Sequence, residues 1–316
     1  MRLRSHHSLH LHLALLTVQF AFASLSVVGR VLVTQLGPLT VAFARLVGGA
    51  VALGLVDRLL KKGPREPFRL SDLMGIAGCS LLGISGNQML FLLGLRWTTA
   101  TNATLIVAGI PLFTACVEAV FFWLLPNSQL GRRIGLGEWL GVFCSFLGIF
   151  ILIGPDLGQS HGLWLGDVLV CMNALGYAFY LVLVRPYIQR FGSLSVTAWG
   201  FISSALIAFP ICFPSLLSDW PRIDQKASML LLYVVLVPTI YTYILNAWAL
   251  RLAPPSLVAA YIFVQPLVAT ALAWFFLNEP VGWNFAVAFF FVFAGLWVFV
   301  FSTSRASQLN LEAKGS

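Results

Sequence analysis

Two charged residues lie inside long apolar stretches of this sequence. Arg45 is the single cation of residues 39–55, and Glu118 is the only acidic residue deep within such a stretch. A charge in the bilayer interior costs several kcal/mol, so it is kept for pairing or for function. Arginine can bind a carboxylate or anchor helix ends at the interface, and a buried carboxyl group can take up a proton. Arg45 could bind a substrate carboxylate, or it could anchor the outer ends of the first three apolar stretches (spans 1–3). Glu118 could couple transport to protons, or it could make a structural hydrogen bond.

Other polar side chains recur at helical spacing within the apolar stretches. Residues three, four or seven apart share one helix face, so they could line a common cavity. The tyrosines would suit a planar or partly apolar substrate, or be ordinary packing aromatics. Hydrogen bonds that join neighbouring helices are the alternative role for the other polar groups. With Arg45, the candidate substrate-binding residues are Gln19, Asn87, Gln88, Asn173, Tyr177, Tyr180, Tyr243, Asn246, Tyr261 and Gln265, and Thr239 shares their stretch.

Pro111 and Pro266 lie in the middle of apolar stretches. Proline removes one backbone hydrogen bond and kinks a helix, so we predict two hinges, with static kinks as the alternative. We predict no metal site and no cofactor, and the histidines at 6, 7, 10 and 12 are interpreted as part of a disordered polar tail. The chain has no Walker A sequence, which argues against transport driven by its own ATP hydrolysis.

The composition identifies the elements that must position these residues. Hydrophobic residues make up 59% of the chain and charged residues only 9%, against about 25% charged in soluble domains. The sequence therefore predicts an all-α integral membrane protein. Ten spans are expected, at 11–33, 39–60, 73–95, 99–125, 137–154, 164–184, 196–217, 229–250, 256–277 and 281–302. The five cysteines all fall within spans and are interpreted as reduced packing residues.

In this topology, most Lys and Arg residues lie on one side of the membrane. With the N-terminus in the cytoplasm, fourteen Lys and Arg residues fall in inner segments and three in outer loops. This bias predicts that both termini are cytoplasmic, in a plasma membrane such as the bacterial inner membrane. It also explains the net charge of +8 without a nucleic-acid partner. A cleavable signal peptide ending near residue 24 is the alternative for the N-terminus, but the apolar stretch continues to Val33.

The chain contains a duplication with an offset of 155 residues. "QLGPLTV" (35–41) aligns with "RFGSLSV" (190–196), and "IPLFTA" (110–115) aligns with "QPLVAT" (265–270). Each half has five spans, an odd number, so the halves must have opposite orientations in the membrane. We therefore predict two inverted repeats, 11–154 and 164–302, with short cytoplasmic tails at 1–10 and 303–316. Inverted repeats around a shared site are typical of secondary transporters.

The same segments resemble the EamA branch of the drug/metabolite transporter superfamily. The resemblance rests on "PLTVAFARLVGGAVAL" (38–53) and "LLGLRWTTATNATLIVAGIPLFTA" (92–115) in the first half. In the second half it rests on residues 166–186 and on "WALRLAPPSLVAAYIFVQPLVATALAWFFLNEPV" (248–281). It implies ten helices and alternating access, with spans 1–4 and 6–9 around a central cavity and spans 5 and 10 outside it. The "NEP" at 278–280 has no counterpart in the first half, which is a departure from symmetry.

Together these features predict a secondary-active exporter of small metabolites such as amino acids. The alternative within the same class is an exchanger of nucleotide sugars or other organic anions. A membrane-embedded enzyme is disfavoured because no span holds two acids or a histidine–acid cluster. The expected partners are a small-molecule substrate and the lipid bilayer, and a homodimer stays open.

Overall fold

The protein folds as a bundle of apolar helices. The structure, a computed structural model, describes residues 5–60, 67–125, 130–131, 133–153, 163–252 and 261–315. The first half forms spans 1 to 5, at Ser5–Gln35, Pro38–Leu59, Leu70–Trp97, Ala100–Leu124 and Leu136–Ile153. The second half forms spans 6 to 10, at Leu163–Leu183, Ser193–Asp219, Gln225–Leu252, Tyr261–Leu277 and Trp283–Gly315. A short helix, Arg185–Phe191, joins spans 6 and 7.

The surface and the lengths of these helices fit a bilayer. In the described part of the chain, seven helices are long and apolar enough to cross it, and the bent span 4 makes an eighth. Leu136–Leu152 and Val264–Leu277 are shorter apolar helices, so the described chain matches the predicted all-α fold of about ten spans. Large apolar side chains such as Trp297, which is 76% exposed, face outward where a soluble protein would carry charge.

Spans 2 and 7, which correspond in the two repeats, cross in opposite directions. At one end the Gly37 amide donates to the Asp219 carboxylate at 2.7 Å, and Thr40 donates to the same oxygen at 2.5 Å. At the other end the Ser195 hydroxyl donates to Asp57 at 2.6 Å. The start of one helix therefore meets the end of its counterpart, which confirms that the repeats are inverted. We call the end with Gly37 and Asp219 the Asp219 end. The end with Asp57 and Ser195 adjoins the Lys- and Arg-rich segments of the chain, and we call it the basic end.

The repeat also appears in the local geometry of spans 3 and 8. Both contain a six-residue π-helical segment, Leu81–Gly86 in span 3 and Leu236–Tyr241 in span 8. These two segments are related by the 155-residue offset found in the sequence. Segments of π-helix are rare and occur frequently at functional sites, so a matched pair belongs to the architecture of the fold.

Spans 5 and 10 pack against each other through small residues. A Cβ on Gly295 would lie 2.4 Å from the Gly141 carbonyl oxygen, and one on Gly148 would lie 2.8 Å from the Ala288 carbonyl oxygen. The Ser145 hydroxyl donates to the Val292 carbonyl at 3.0 Å. Close backbone approach with a hydroxyl between the helices is typical of membrane helix pairs. The pair therefore has its own interface, antiparallel like that of spans 2 and 7.

The structure corrects the expectation that the histidine-containing N-terminal stretch is disordered. Span 1 begins at Ser5, so the histidines interpreted as disordered lie within a helix. No proline or glycine interrupts residues 5–28, and the helix therefore continues through this polar stretch. His12 hydrogen-bonds the Tyr261 hydroxyl of span 9. At the other terminus span 10 continues to Gly315, through most of the predicted tail. Residues 253–260, part of the predicted ninth span, lie outside the described residues.

Candidate functional site

Arg45 lies at the junction of spans 2 and 8, inside the bundle. Its side chain is only 4% exposed, and its Nε donates to the Thr239 hydroxyl at 2.9 Å. Thr239 in turn donates to the Val234 carbonyl, five residues earlier, at 2.8 Å. Pro238, four residues after Val234, has no amide hydrogen to donate to this carbonyl, and the Thr239 hydroxyl donates to it instead. This hydrogen bond joins span 2 to span 8, while the alternative role of Arg45, an anchor for the outer ends of spans 1–3, stays a prediction.

A group of tyrosines from spans 6 and 8 adjoins this pair. Tyr177 and Tyr180 of span 6 and Tyr243 of span 8 pack in one cluster of side chains, which also contains Leu46, the sequence neighbour of Arg45 in span 2. The rings of Tyr177 and Tyr180 have centroids 5.7 Å apart, and Tyr243 meets Phe201 of span 7 edge-on at 5.0 Å. Four spans thus contribute to one locus, which combines a guanidinium group, phenol hydroxyls and aromatic faces. We call Arg45, Thr239, Tyr177, Tyr180 and Tyr243 the Arg45 site.

Several predicted amide residues have buried polar atoms, and some of these atoms have no hydrogen-bond partner in the part of the chain that the structure describes. The Asn173 amide donates to the Asn87 carbonyl at 2.7 Å and joins spans 6 and 3. Gln88 is 3% exposed, yet neither atom of its amide group is hydrogen-bonded. The Oε1 of Gln19 and the Oδ1 of Asn246 are also buried and have no hydrogen-bond partner among the described residues. Buried polar atoms nearly always have partners, so these side chains are suited to bind a polar solute or water.

The remaining predicted residues are spread over spans 4 and 9. Span 4 bends by 40° between Ala100–Ala108 and Ile110–Leu124, at the turn that contains Pro111. In span 9 a 3-10 turn, Tyr261–Phe263, precedes the helix that holds Gln265 and Pro266. The two irregular turns are repeat-related, although hinge motion itself stays a prediction. Glu118 is half-buried in span 4 and engaged with neighbouring groups, and its role in coupling also stays a prediction.

Comparison with known proteins identifies the family of this bundle. The model of the EamA-like transporter family matches residues 11–154 and 164–301, which is most of the chain. The chain belongs to the EamA-like transporter family. It is therefore a multi-pass membrane transporter of the drug/metabolite type, like the homologues named below.

Relatives of this EamA-like transporter span bacteria, archaea and plants. A WAT1-related protein of Arabidopsis thaliana is 25% identical over 326 residues, covering 95% of this chain and 83% of that protein. An uncharacterized transporter of Archaeoglobus fulgidus is 25% identical over 293 residues, covering 91% and 96%. A probable terminal-alkyne amino-acid exporter of Streptantibioticus cattleyicolor is 24% identical and covers 75% of each chain. One solved crystal structure, 14% identical, matches with a TM-score of 0.59 over 92% of this chain and 96% of the other, and shows the fold alone.

The structure of this EamA-like transporter also reveals polar ties that sequence reasoning missed. The Glu279 carboxylate accepts hydrogen bonds from the Ala100 amide at 3.0 Å and from the Thr101 amide and hydroxyl at 3.2 and 2.9 Å. It thereby caps span 4 from the loop between spans 9 and 10. Asp167 of span 6 accepts a hydrogen bond from Thr98 in the loop before span 4. We call Glu279, Asp167 and their partners the span 4 clamp, which lies at the Asp219 end.

The sequence held only one signal for this clamp. The "NEP" that departs from the repeat symmetry contains Glu279. Its target lies 179 residues earlier, so no local capping pattern could identify it.

Proposed function

We propose that this protein is a secondary-active carrier that exports small metabolites such as amino acids by alternating access. The observation that carries the proposal is the antiparallel crossing of spans 2 and 7; the neighbouring spans carry amide atoms that have no hydrogen-bond partner among the described residues. Two inverted units can exchange conformations, so that a site between them opens to one side and then to the other. The transporter homologues support the class, and they argue against an enzyme.

Amino acids are the finer part of the proposal. One relative bears a name that describes an amino-acid exporter, and this supports both the substrate class and the direction. The second candidate is an exchanger of organic anions. Arg45 favours this candidate, because its buried guanidinium group has a neutral hydroxyl as partner. Both classes of substrate carry a carboxylate or a comparable anionic group.

We also propose that the basic end faces the cytoplasm. Arg190 lies at this end and pairs with Asp72 at 3.2 Å, which places the segments after spans 2 and 6 on the same side of the bilayer. The excess of Lys and Arg at this end supports a cytoplasmic orientation with both termini inside. Labelling of single cysteines at residues 60 and 189 in intact cells would test this orientation.

Exchange in proteoliposomes tests the carrier. The purified protein should move labelled amino acids, and unlabelled substrate on the opposite side should accelerate that movement. Acceleration distinguishes a carrier from a channel, because a carrier returns faster when loaded. Absence of protein-dependent flux across a broad panel of amino acids and organic anions would contradict the proposal.

A reversible cross-link provides a control within the same protein. The Thr40 and Ser215 hydroxyl oxygens lie 3.0 Å apart, so a pair of cysteines there should form a disulfide between spans 2 and 7. In a background without the five native cysteines, oxidation should stop exchange and reduction should restore it. Each single-cysteine variant should be insensitive to the oxidant. Unchanged exchange in the cross-linked protein would mean that the Asp219 end does not open during transport.

A further inference from the structure

Among the described residues, Arg45 has no anionic partner. In the described part of the chain no carboxylate pairs with it, and its hydrogen bond to Thr239 uses only Nε. A buried charge is costly unless it is paired and its hydrogen bonds are satisfied. The two Nη groups form a planar fork that matches a carboxylate. The electrostatics of this locus therefore favour an anion.

The tyrosines around Arg45 describe the rest of that ligand. Tyr243, four residues after Thr239, packs edge-on against Phe201 of span 7, in a cluster that also contains Leu46 of span 2. A phenol hydroxyl can donate a hydrogen bond to an anion, while its ring packs against apolar or planar groups. The paired rings of Tyr177 and Tyr180 add a second aromatic face.

The repeat shows that this site exists once. The 155-residue offset places Gly200 opposite Arg45 and Ile84 opposite Thr239. A Cβ on Gly200 would lie 2.6 Å from Ile84 Cδ1 and 2.7 Å from the Ser80 hydroxyl, so the corresponding locus is filled by these two side chains. One half of the fold thus carries a cation with a polar partner, and the corresponding position in the other half carries no charge. A single cation gives a bound anion one orientation.

We propose that the Arg45 site binds the carboxylate of a monocarboxylate whose adjoining group is apolar or planar. The Nη groups of Arg45 donate to the two carboxylate oxygens, while Thr239 keeps Nε and holds the guanidinium group in place. Tyr243 donates a third hydrogen bond, and the aromatic faces contact the body of the ligand. This inference rests on the proposed function only in identifying the ligand with the transported substrate.

A matched set of probes tests the inference by equilibrium binding to the full chain in lipid nanodiscs. 3-Phenylpropionate and 3-phenylpropionamide have the same carbon skeleton, but the first ends in an anionic carboxylate and the second in a neutral amide. Propionate keeps the carboxylate and lacks the ring. We expect the acid to bind at least tenfold more tightly than the amide, and also more tightly than propionate. Arg45→Gln should abolish the preference for the acid. Arg30→Gln removes another arginine within a span, one that donates to the Leu95 carbonyl, and should leave the preference unchanged.

A second variant covers the case in which Arg45→Gln does not fold. Tyr243→Phe keeps the aromatic packing against Phe201 and removes one hydroxyl. It should weaken the acid three- to tenfold and leave the amide unchanged. Equal binding of acid and amide, or no binding of the acid, would overturn the inference. Displacement of the acid by inorganic phosphate at equal concentration would assign the site to phosphate-bearing anions, and would also overturn it.

The outcomes separate this inference from the proposed function. A preference for the acid in binding, without flux in proteoliposomes, would leave the site standing and contradict the carrier. Equal flux of charged and neutral substrates would support the carrier and contradict the proposed site.

Discussion

The span 4 clamp offers a direct test of how the spans are held together at the Asp219 end. Glu279 receives three hydrogen bonds at the start of span 4, and two of them come from backbone amides. A carboxylate at a helix start is also stabilised by the helix dipole. Glu279→Gln keeps the shape of the side chain and removes its charge. We expect this change to favour opening at the Asp219 end.

The size of the effect follows from the bonds that are lost. A hydrogen bond to a charged group contributes about 1.5–3 kcal/mol, and a neutral one about 0.5–1.5 kcal/mol. Glutamine retains one acceptor oxygen, so part of the clamp survives in neutral form. Because Glu279 is only half-buried, we expect a net cost to the closed arrangement of about 1.5–3 kcal/mol. At about 1.4 kcal/mol per factor of ten, the open population should rise roughly ten- to hundredfold.

Labelling of a cysteine beneath the clamp measures this population. Thr104 is one turn further along span 4 and 3% exposed, so Thr104→Cys should react slowly with an impermeant maleimide. Adding Glu279→Gln should accelerate the reaction at least tenfold. Glu138→Gln is the matched control, because Glu138 caps its own helix through the Gly135 amide at 2.8 Å. It should leave labelling at Thr104→Cys unchanged.

One result would refute the reasoning. If Glu279→Gln lowers the unfolding temperature but leaves labelling at Thr104→Cys unchanged, the clamp stabilises the fold without controlling access.

Three further predictions concern other parts of the bundle. Glu118→Gln should abolish proton-linked flux in proteoliposomes, whereas an unchanged pH dependence would remove Glu118 as a coupling site. Gly295→Leu should lower stability by about 1–3 kcal/mol or more through overpacking, measured by thermal unfolding in detergent, because its Cβ would lie 2.4 Å from the Gly141 carbonyl oxygen. Pro111→Ala should slow exchange without loss of folded protein, because it restores a backbone donor near the 40° bend; unchanged exchange would make this bend static.

The sequence predicted the helices and their inverted arrangement because both follow from hydropathy and from a repeat. An apolar stretch of about twenty residues has few alternatives to a membrane helix. Spans 3 and 8 were predicted at 73–95 and 229–250, and the observed helices, Leu70–Trp97 and Gln225–Leu252, extend two to four residues further at each end and correspond at the offset of 155 residues. The π segments within them were not predicted. Only Leu236–Tyr241 contains a proline, and Leu81–Gly86 has no residue that demands the irregularity, so tertiary packing must decide it.

The sequence indicates which residues belong to the candidate site, but not which of them are in contact. Polar groups within spans are costly, and this cost makes residues such as Arg45, Tyr177 and Tyr243 candidates. Which of them meet depends on helix rotation and tilt, and periodicity within one helix does not fix these. The partnership of Arg45 with Thr239 therefore had to come from the structure. The partner of Glu279 was hidden for the same reason, since it belongs to the other repeat.

The fold combines a symmetric backbone with asymmetric polar side chains, and this combination bears on which end opens. If the side chains also obeyed the repeat, the two conformations with either end open would have equal energies. Arg45 and Glu279 break that equality, because their repeat-related positions lack the same partners. Arg45 lies in the half of span 2 nearer the Asp219 end, and the Glu279 clamp lies at that same end. If the Asp219 end opens during transport, as proposed, the Glu279 clamp must be released, so we expect the empty carrier to rest with this end closed. An anion bound by the Nη groups of Arg45 would pair this buried charge while Thr239 keeps Nε, so the bound and empty proteins should differ in the balance between the two conformations.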